Sequence, residues 1–170
     1  SDRIHLVADP PLKWEDDSRD EWLVHAIAKD LSTAKRKALL ISPYFVPGPE
    51  VTADMTALVG KGVTVGIVTN SLAANDVAAV YGAYRPYRDT LIGGGVHVYE
   101  LRAQGHPGSS LFGSSGASLH TKAYSVDDTR GFIGSFNLDA RSAYLNTEMG
   151  VMFDDAALAK AVRDEYLRLS

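Results

Sequence analysis

The sequence predicts an α/β domain: a mixed, mostly parallel sheet flanked by helices on both faces. Three observations predict it. Continuous apolar runs, ALLIS (38–42) and VTVGIVTN (63–70), are the mark of strands buried on both faces. Segments of helical period lie between such runs, so strands and helices alternate up to residue 100. No internal repeat divides the 170 residues, a length that suits one domain with a proper core.

The elements follow in order. RIHLVAD (3–9) reads as a short strand ended by two prolines. SRDEWLVHAIAKDLSTAKRK (18–37) reads as a helix, with Ser18 and Glu21 as a capping box. Its apolar stripe is Trp22, Leu23, Ala26, Ile27, Leu31 and Ala34, and Lys35, Arg36 and Lys37 suit the negative end of its dipole. Pro49 opens a second helix with Val51, Met55, Leu58 and Val59 inward, closed by Gly60 or Gly62. A third helix starts near Asn75 or Asp76 and should kink or end at Pro86. VHVYE (96–100) is the next strand. Residues 103–118, rich in Gly and Ser, form a loop that is either a lid or a tolerated insertion. Three strand-like segments follow at 119–126, 131–135 and 146–153, the first two joined by the turn residues DDTRG. DDAALAKAVRDEYLRL closes the chain as an amphipathic helix.

Composition narrows the chemistry. The 17 basic and 21 acidic residues give a net charge of −4, so no global basic surface for nucleic acid is indicated. There is no cysteine, hence no disulfide, thiolate nucleophile or cysteine metal site. No apolar run approaches the roughly 18–20 residues of a spanning helix. The chain starts at Ser1, without Met, at the edge of an apparent strand; a piece of a longer protein is expected.

One stretch carries reactive side chains. If 119–126 is a strand, His120 and Lys122 share a face, roughly 7 Å apart at the backbone. Ser135 and Asn137 alternate to a common side, Gly134 permits close backbone approach, and Asn146 and Glu148 add an amide and a carboxylate. Lys122, Ser135 and Asn137 are donors suited to the non-bridging oxygens of a phosphodiester. Neutral imidazole is a good nucleophile near pH 7, so His120 suits attack or proton transfer, with Glu148 fixing its tautomer. No spacing indicates a metal, and no cofactor is implied. Spacing alone favours an ordinary solvated strand face over a reaction centre. Tyr44 and Phe45, at the end of a buried strand, either line the pocket or pack in the core. Tyr84, Arg85, Tyr87 and Arg88 suit either lipid headgroups or a solvated helix face, and His5, His25, His97 and His106 belong to no constellation.

HTKAYSVD (120–127) has the pattern H-x-K-x-x-x-x-D, and GSFN (134–137) follows it. Together with DARSAYLNTE (139–148), this resembles the signature of the phospholipase D superfamily, without departures. SPYFVPG (42–48) and the stretch from Thr69 to Leu101 are similar to cardiolipin synthases of Gram-negative bacteria. The resemblance spans about residues 38 to 153. It implies a phospholipase D-like half-domain over 1–170 with one signature, where the superfamily's active site needs two, from two similar domains or two subunits. One histidine attacks phosphorus and forms a phosphohistidine; the other protonates the leaving group and activates the acceptor.

By position, the resemblance makes His120 the catalytic histidine, in either role. Lys122, Ser135 and Asn137 become phosphate-binding, and Glu148 becomes the carboxylate that orients the histidine. Asp127 is expected to be structural, paired with Arg130 or Arg141. The implied partners are a phospholipid such as phosphatidylglycerol, a second phospholipase D-like half, and the bacterial inner membrane, met peripherally from the cytoplasmic side. Nucleic acid is an unlikely partner on charge. The implied reaction is phosphatidyl transfer. Hydrolysis of a phospholipid or nucleic acid, and a half-domain inactive in isolation, remain the alternatives.

Overall fold

The computed structural model describes residues 3–15, 19–71, 78–101 and 119–170. Seven strands form one sheet: β1 (Ile4–Ala8), β2 (Lys37–Ile41), β3 (Thr64–Asn70), β4 (His97–Leu101), β5 (Ala123–Val126), β6 (Arg130–Gly134) and β7 (Met149–Phe153). Among the described residues five α-helices accompany them: α1 (Leu23–Ser32), α2 (Gly48–Gly60), α3 (Ala78–Gly93), α4 (Ala140–Tyr144) and α5 (Ala156–Leu169). The strand order is β1-β7-β6-β5-β2-β3-β4.

The α/β class with helices on both faces holds, but the sheet is not mostly parallel. β2–β3 and β3–β4 are parallel, whereas β2–β5, β5–β6, β6–β7 and β7–β1 are antiparallel. The helical crossovers that make parallel pairs stop at β4. The three-residue turn 127–129 then leaves β5 and β6 only the antiparallel solution.

Strand alternation supplies two cores. Ala38, Leu40, Val65, Ile67, Tyr124 and Phe132 face Leu23, Ile27, Met55, Leu58 and Leu91 of α1–α3. Leu39, Ile41, Val68 and Ala123 face Ala159, Val162 and Tyr166 of α5. Gly66 lies under that helix: a Cβ there would fall 2.0 Å from the Tyr166 hydroxyl. On the same side of the sheet, α5 leaves the β1–β7–β6 end uncovered, where Leu6 (71% exposed), Ile133 and Met149 form an apolar surface.

Several local expectations need correction. The helix predicted from Ser18 begins at Leu23, after a single turn of 3-10 helix at 19–21, and Ser18 lies outside the described residues. Its first turn is capped by the Asp9 carboxylate, which accepts from Leu23 N at 2.9 Å. Lys35, Arg36 and Lys37 follow the helix rather than end it, and Lys37 opens β2. Pro86 does not end α3. Tyr84 is buried and donates to Glu100, and Arg88 pairs with the same carboxylate at 2.8 Å, so tertiary contacts hold the helix on both sides of the proline. The reading of 119–153 as three strand-like segments missed α4, which lies between β6 and β7. The predicted loop 103–118 and His106 lie outside the described residues.

Candidate active site

The predicted residues meet at one end of the sheet. This end receives the C-terminal ends of the parallel strands β2 and β3, where α/β sheets place ligands. Antiparallel pairing brings the start of β5, the end of β6 and the start of β7 to the same edge.

His120 and Lys122 precede β5 rather than lie on it. The ladder to β2 ends at the pair Ile41–Ala123, and Pro43 soon follows Ile41. The shared strand face predicted for the two side chains is therefore replaced by another arrangement. His120 is exposed. Lys122 is buried at 9% exposure, and its ammonium donates to the His120 carbonyl at 2.9 Å. Burial pushes the Lys122 pKa down from the usual lysine value, and the charges of Glu148 and Asp139 offset only part of it.

Glu148 is buried just before β7. One carboxylate oxygen accepts from the Ser135 hydroxyl and the other from Asn146 Nδ2 at 3.0 Å. Ser135 also accepts from Met149 N at 3.0 Å, which ties the end of β6 to the start of β7. Among the described residues, the Glu148 carboxylate accepts from these two side chains and not from the His120 ring. Asn137 is half-buried, and its Oδ1 is buried without a hydrogen-bond partner among the described residues. Its backbone N–H donates to Ser142 Oγ at 3.3 Å. Gly134 lies so close to β7 that a Cβ would fall 2.4 Å from the Met149 carbonyl.

Tyr44 is half-buried where β2 leaves the sheet, whereas Phe45 is core, packed on Tyr84 with ring centroids 5.7 Å apart. Asp127 lies at the far end of β5, away from His120. Its carboxylate does not pair with the expected arginines. Its carboxylate accepts from the backbone N–H groups of Lys35 (3.0 Å), Arg36 (2.7 Å) and Lys37 (2.9 Å). Arg130 instead pairs with Asp30 at 2.7 Å.

Sequence reasoning missed the residues that hold these groups in place. Asn70 clips the residue before His120: Leu119 N donates to its Oδ1 at 3.1 Å and its Nδ2 donates to Leu119 O at 3.3 Å. Ser42 accepts from Leu138 N at 3.1 Å, and Val46 N donates to Leu138 O at 2.7 Å, fixing the residue after Asn137. Asp139 caps α4 through Ser142 N at 2.8 Å. Burial pushes its carboxyl up and the Glu148 charge adds to this, against hydrogen bonds from Ser142 and Arg141. The spacing Asp139-x-x-Ser142 is a legible capping signal; nothing comparable marks Asn70. Asp139 and Ala140 also line an apolar cavity of about 580 Å³ walled by Ile27, Leu31, Met55 and Phe136.

A carboxylate, a buried ammonium, an amide and an exposed imidazole at one sheet edge form a set able to bind and attack a phosphodiester. Comparison with known proteins points the same way. Residues 27–170 match the family described as cardiolipin synthase, PLD-like domain. Cardiolipin synthase C of Escherichia coli K12 is 39% identical over 98% of this chain and 36% of its own length. Cardiolipin synthase A of Klebsiella pneumoniae is 31% identical over 98% of this chain and 31% of its own. The chain thus spans about a third of the length of these curated relatives. The crystal structure of Nuc, a phospholipase D family member from Salmonella typhimurium, has the same fold, with a TM-score of 0.68, 16% identity, and coverage of 98% of this chain and 92% of that one.

Proposed function

The chain belongs to the cardiolipin synthase, PLD-like domain family, and we propose that it supplies one of two phosphate-handling halves of an enzyme that transfers a phosphatidyl group between phospholipids. The observation that carries this reading is the buried Lys122 at the ligand end of the sheet, bonded to the His120 carbonyl and subject to the charge of Glu148.

The chemistry follows from the groups. A histidine nitrogen attacks phosphorus, a P–N bond forms, and the P–O bond to the leaving alcohol breaks. A second histidine, from the facing half, protonates that alcohol. The acceptor hydroxyl then gives its proton to the second histidine and attacks phosphorus, and the P–N bond breaks. His120 fills one of these two roles. Lys122 and the Asn137 amide stabilise the charge that gathers on the non-bridging oxygens. Ser135, held by Glu148, borders the same space, and Tyr44 flanks the substrate. Glu148, kept in place by Ser135 and Asn146, supplies negative charge beside Lys122.

Two further features support the reading. The apolar surface of Leu6, Ile133 and Met149 adjoins the site and suits a second phospholipase D-like half. The apolar cavity that shares Asp139 with the site suits an acyl chain better than a nucleic acid. Among the described residues no helix is long and apolar enough to cross a membrane. We place this chain peripherally on the cytoplasmic side of a bacterial inner membrane.

The test is product identity. The full-length protein that carries this chain is incubated with phosphatidylglycerol vesicles, and the products are read by mass spectrometry. Cardiolipin is expected. Phosphatidic acid alone would make the enzyme a hydrolase, and cleavage of single-stranded DNA without lipid turnover would overturn the lipid reading.

A further inference from the structure

At the edge of the site two opposite charges are sealed from solvent. Asp9 follows β1 and Lys13 lies in a 3-10 turn four residues on; both side chains have 0% exposure, and Nζ is 2.8 Å from Oδ2. Removing both charges from water is costly, so such a pair persists only where its remaining hydrogen-bonding positions are filled. Here the site segment fills most of them. Asp9 Oδ2 also accepts from Glu148 N at 3.0 Å, and Asp9 N donates to Glu148 O at 2.8 Å. Lys13 Nζ donates to Ser142 O at 3.1 Å and to Asn146 O at 3.2 Å. The other Asp9 oxygen takes Leu23 N, and the Trp22 ring covers the ammonium at 4.9 Å from its centroid.

We propose that Asp9 and Lys13 are positioning residues for the reaction: together they fix the backbone of residues 142–148, so that the Glu148 carboxylate meets Ser135 and Asn146 in one geometry. A pair serving only the fold would spread its bonds over the elements it joins. Four of its bonds instead fall on this single segment, two of them on Glu148 itself. The placement also matters for Lys122, since Glu148 is the largest favourable charge acting on that ammonium. The proposal rests on the phosphodiester chemistry inferred above.

The experiment uses the full-length protein with Asp9→Leu/Lys13→Met, which removes both charges and keeps the volume. Two readouts are taken: steady-state turnover of phosphatidylglycerol, and amide hydrogen exchange of residues 142–148 against β2 and β3. The expected result is a folded variant with kcat down about 10–100-fold, KM within about threefold, and faster exchange in 142–148 and at the Leu23 amide that Asp9 caps, but not in β2 and β3. Asp9→Asn gives the same pattern in milder form and serves if the double variant does not fold. Unchanged exchange in 142–148, or loosened exchange with kcat unchanged, overturns the proposal. If the unsubstituted protein turns over no phosphodiester at all, the functional reading fails on that result, while the exchange data still decide whether the pair holds the segment.

Discussion

Replacing Asp127 with Asn tests the claim that the last residue of the signature serves the fold rather than the chemistry. The carboxylate receives three backbone N–H groups, from Lys35, Arg36 and Lys37. Residue 127 has φ of 54°, a conformation that Asn tolerates, so the substitution adds little backbone strain. An Asn oxygen retains Arg36 N and Lys37 N as neutral hydrogen bonds, but its –NH2 then faces Lys35 N, donor against donor. A hydrogen bond to a charged group contributes roughly 1.5–3 kcal/mol and a neutral one about 1 kcal/mol, and Lys35 N also reaches the retained oxygen at 3.3 Å, so one loss and two weakenings, taken at the low end of these ranges, sum to about 3 kcal/mol. At this chain length that is a fall in Tm of roughly 6–12 °C, measured by thermal unfolding. Burial raises the Asp127 pKa, but the three N–H groups and nearby Arg130 outweigh it and hold the carboxyl below its ordinary value. A carboxyl depressed in the folded state stabilises above its unfolded pKa, about 3.9. The gap between the two proteins should therefore close as pH falls from there through the folded value. Turnover per folded molecule should stay within about twofold, since the residue lies at the end of β5 away from His120. A stable Asp127→Asn protein with turnover abolished would refute this reasoning.

Lys122→Met should lower turnover about 10²–10³-fold yet raise Tm at pH 7, because burial disfavours the ammonium in the folded state. That penalty is present below the folded pKa and relieved as pH rises toward the unfolded value of about 10.4, so the Tm advantage should vanish there. Asn70→Ala removes both clips on Leu119; kcat should fall about tenfold with little change in KM, read by steady-state kinetics. Gly66→Ala drives a methyl into Tyr166 and should cost about 1–3 kcal/mol by denaturant unfolding, with Tyr166→Leu recovering part of the loss in the double variant.

The buried strands were legible because apolar runs such as 38–42 and 63–70 have one dominant explanation. The side-chain set His120, Lys122, Ser135, Asn137 and Glu148 was legible through its spacing and family resemblance. What stayed hidden was set by contacts distant in the chain. Nothing local says that β5 is shortened by the end of its partner β2, which frees His120 and Lys122 from the ladder. Pro86 stays helical because Tyr84 and Arg88 both reach Glu100. Nothing local marks Lys13, and only folding brings Asp9, Ser142 and Asn146 around it. Asn70 reads as the end of a strand, yet its amide replaces a rung of the ladder beside Leu119.

The measurement that bears most directly on the central claim is turnover of phosphatidylglycerol by the full-length protein carrying His120→Ala, with Tm recorded alongside. His120 is exposed, so the fold should be retained with Tm within about 2 °C. Turnover should fall by 10³-fold or more, on the order expected when a reacting group is lost. A folded His120→Ala protein that forms cardiolipin at the unsubstituted rate would contradict the assignment of this site.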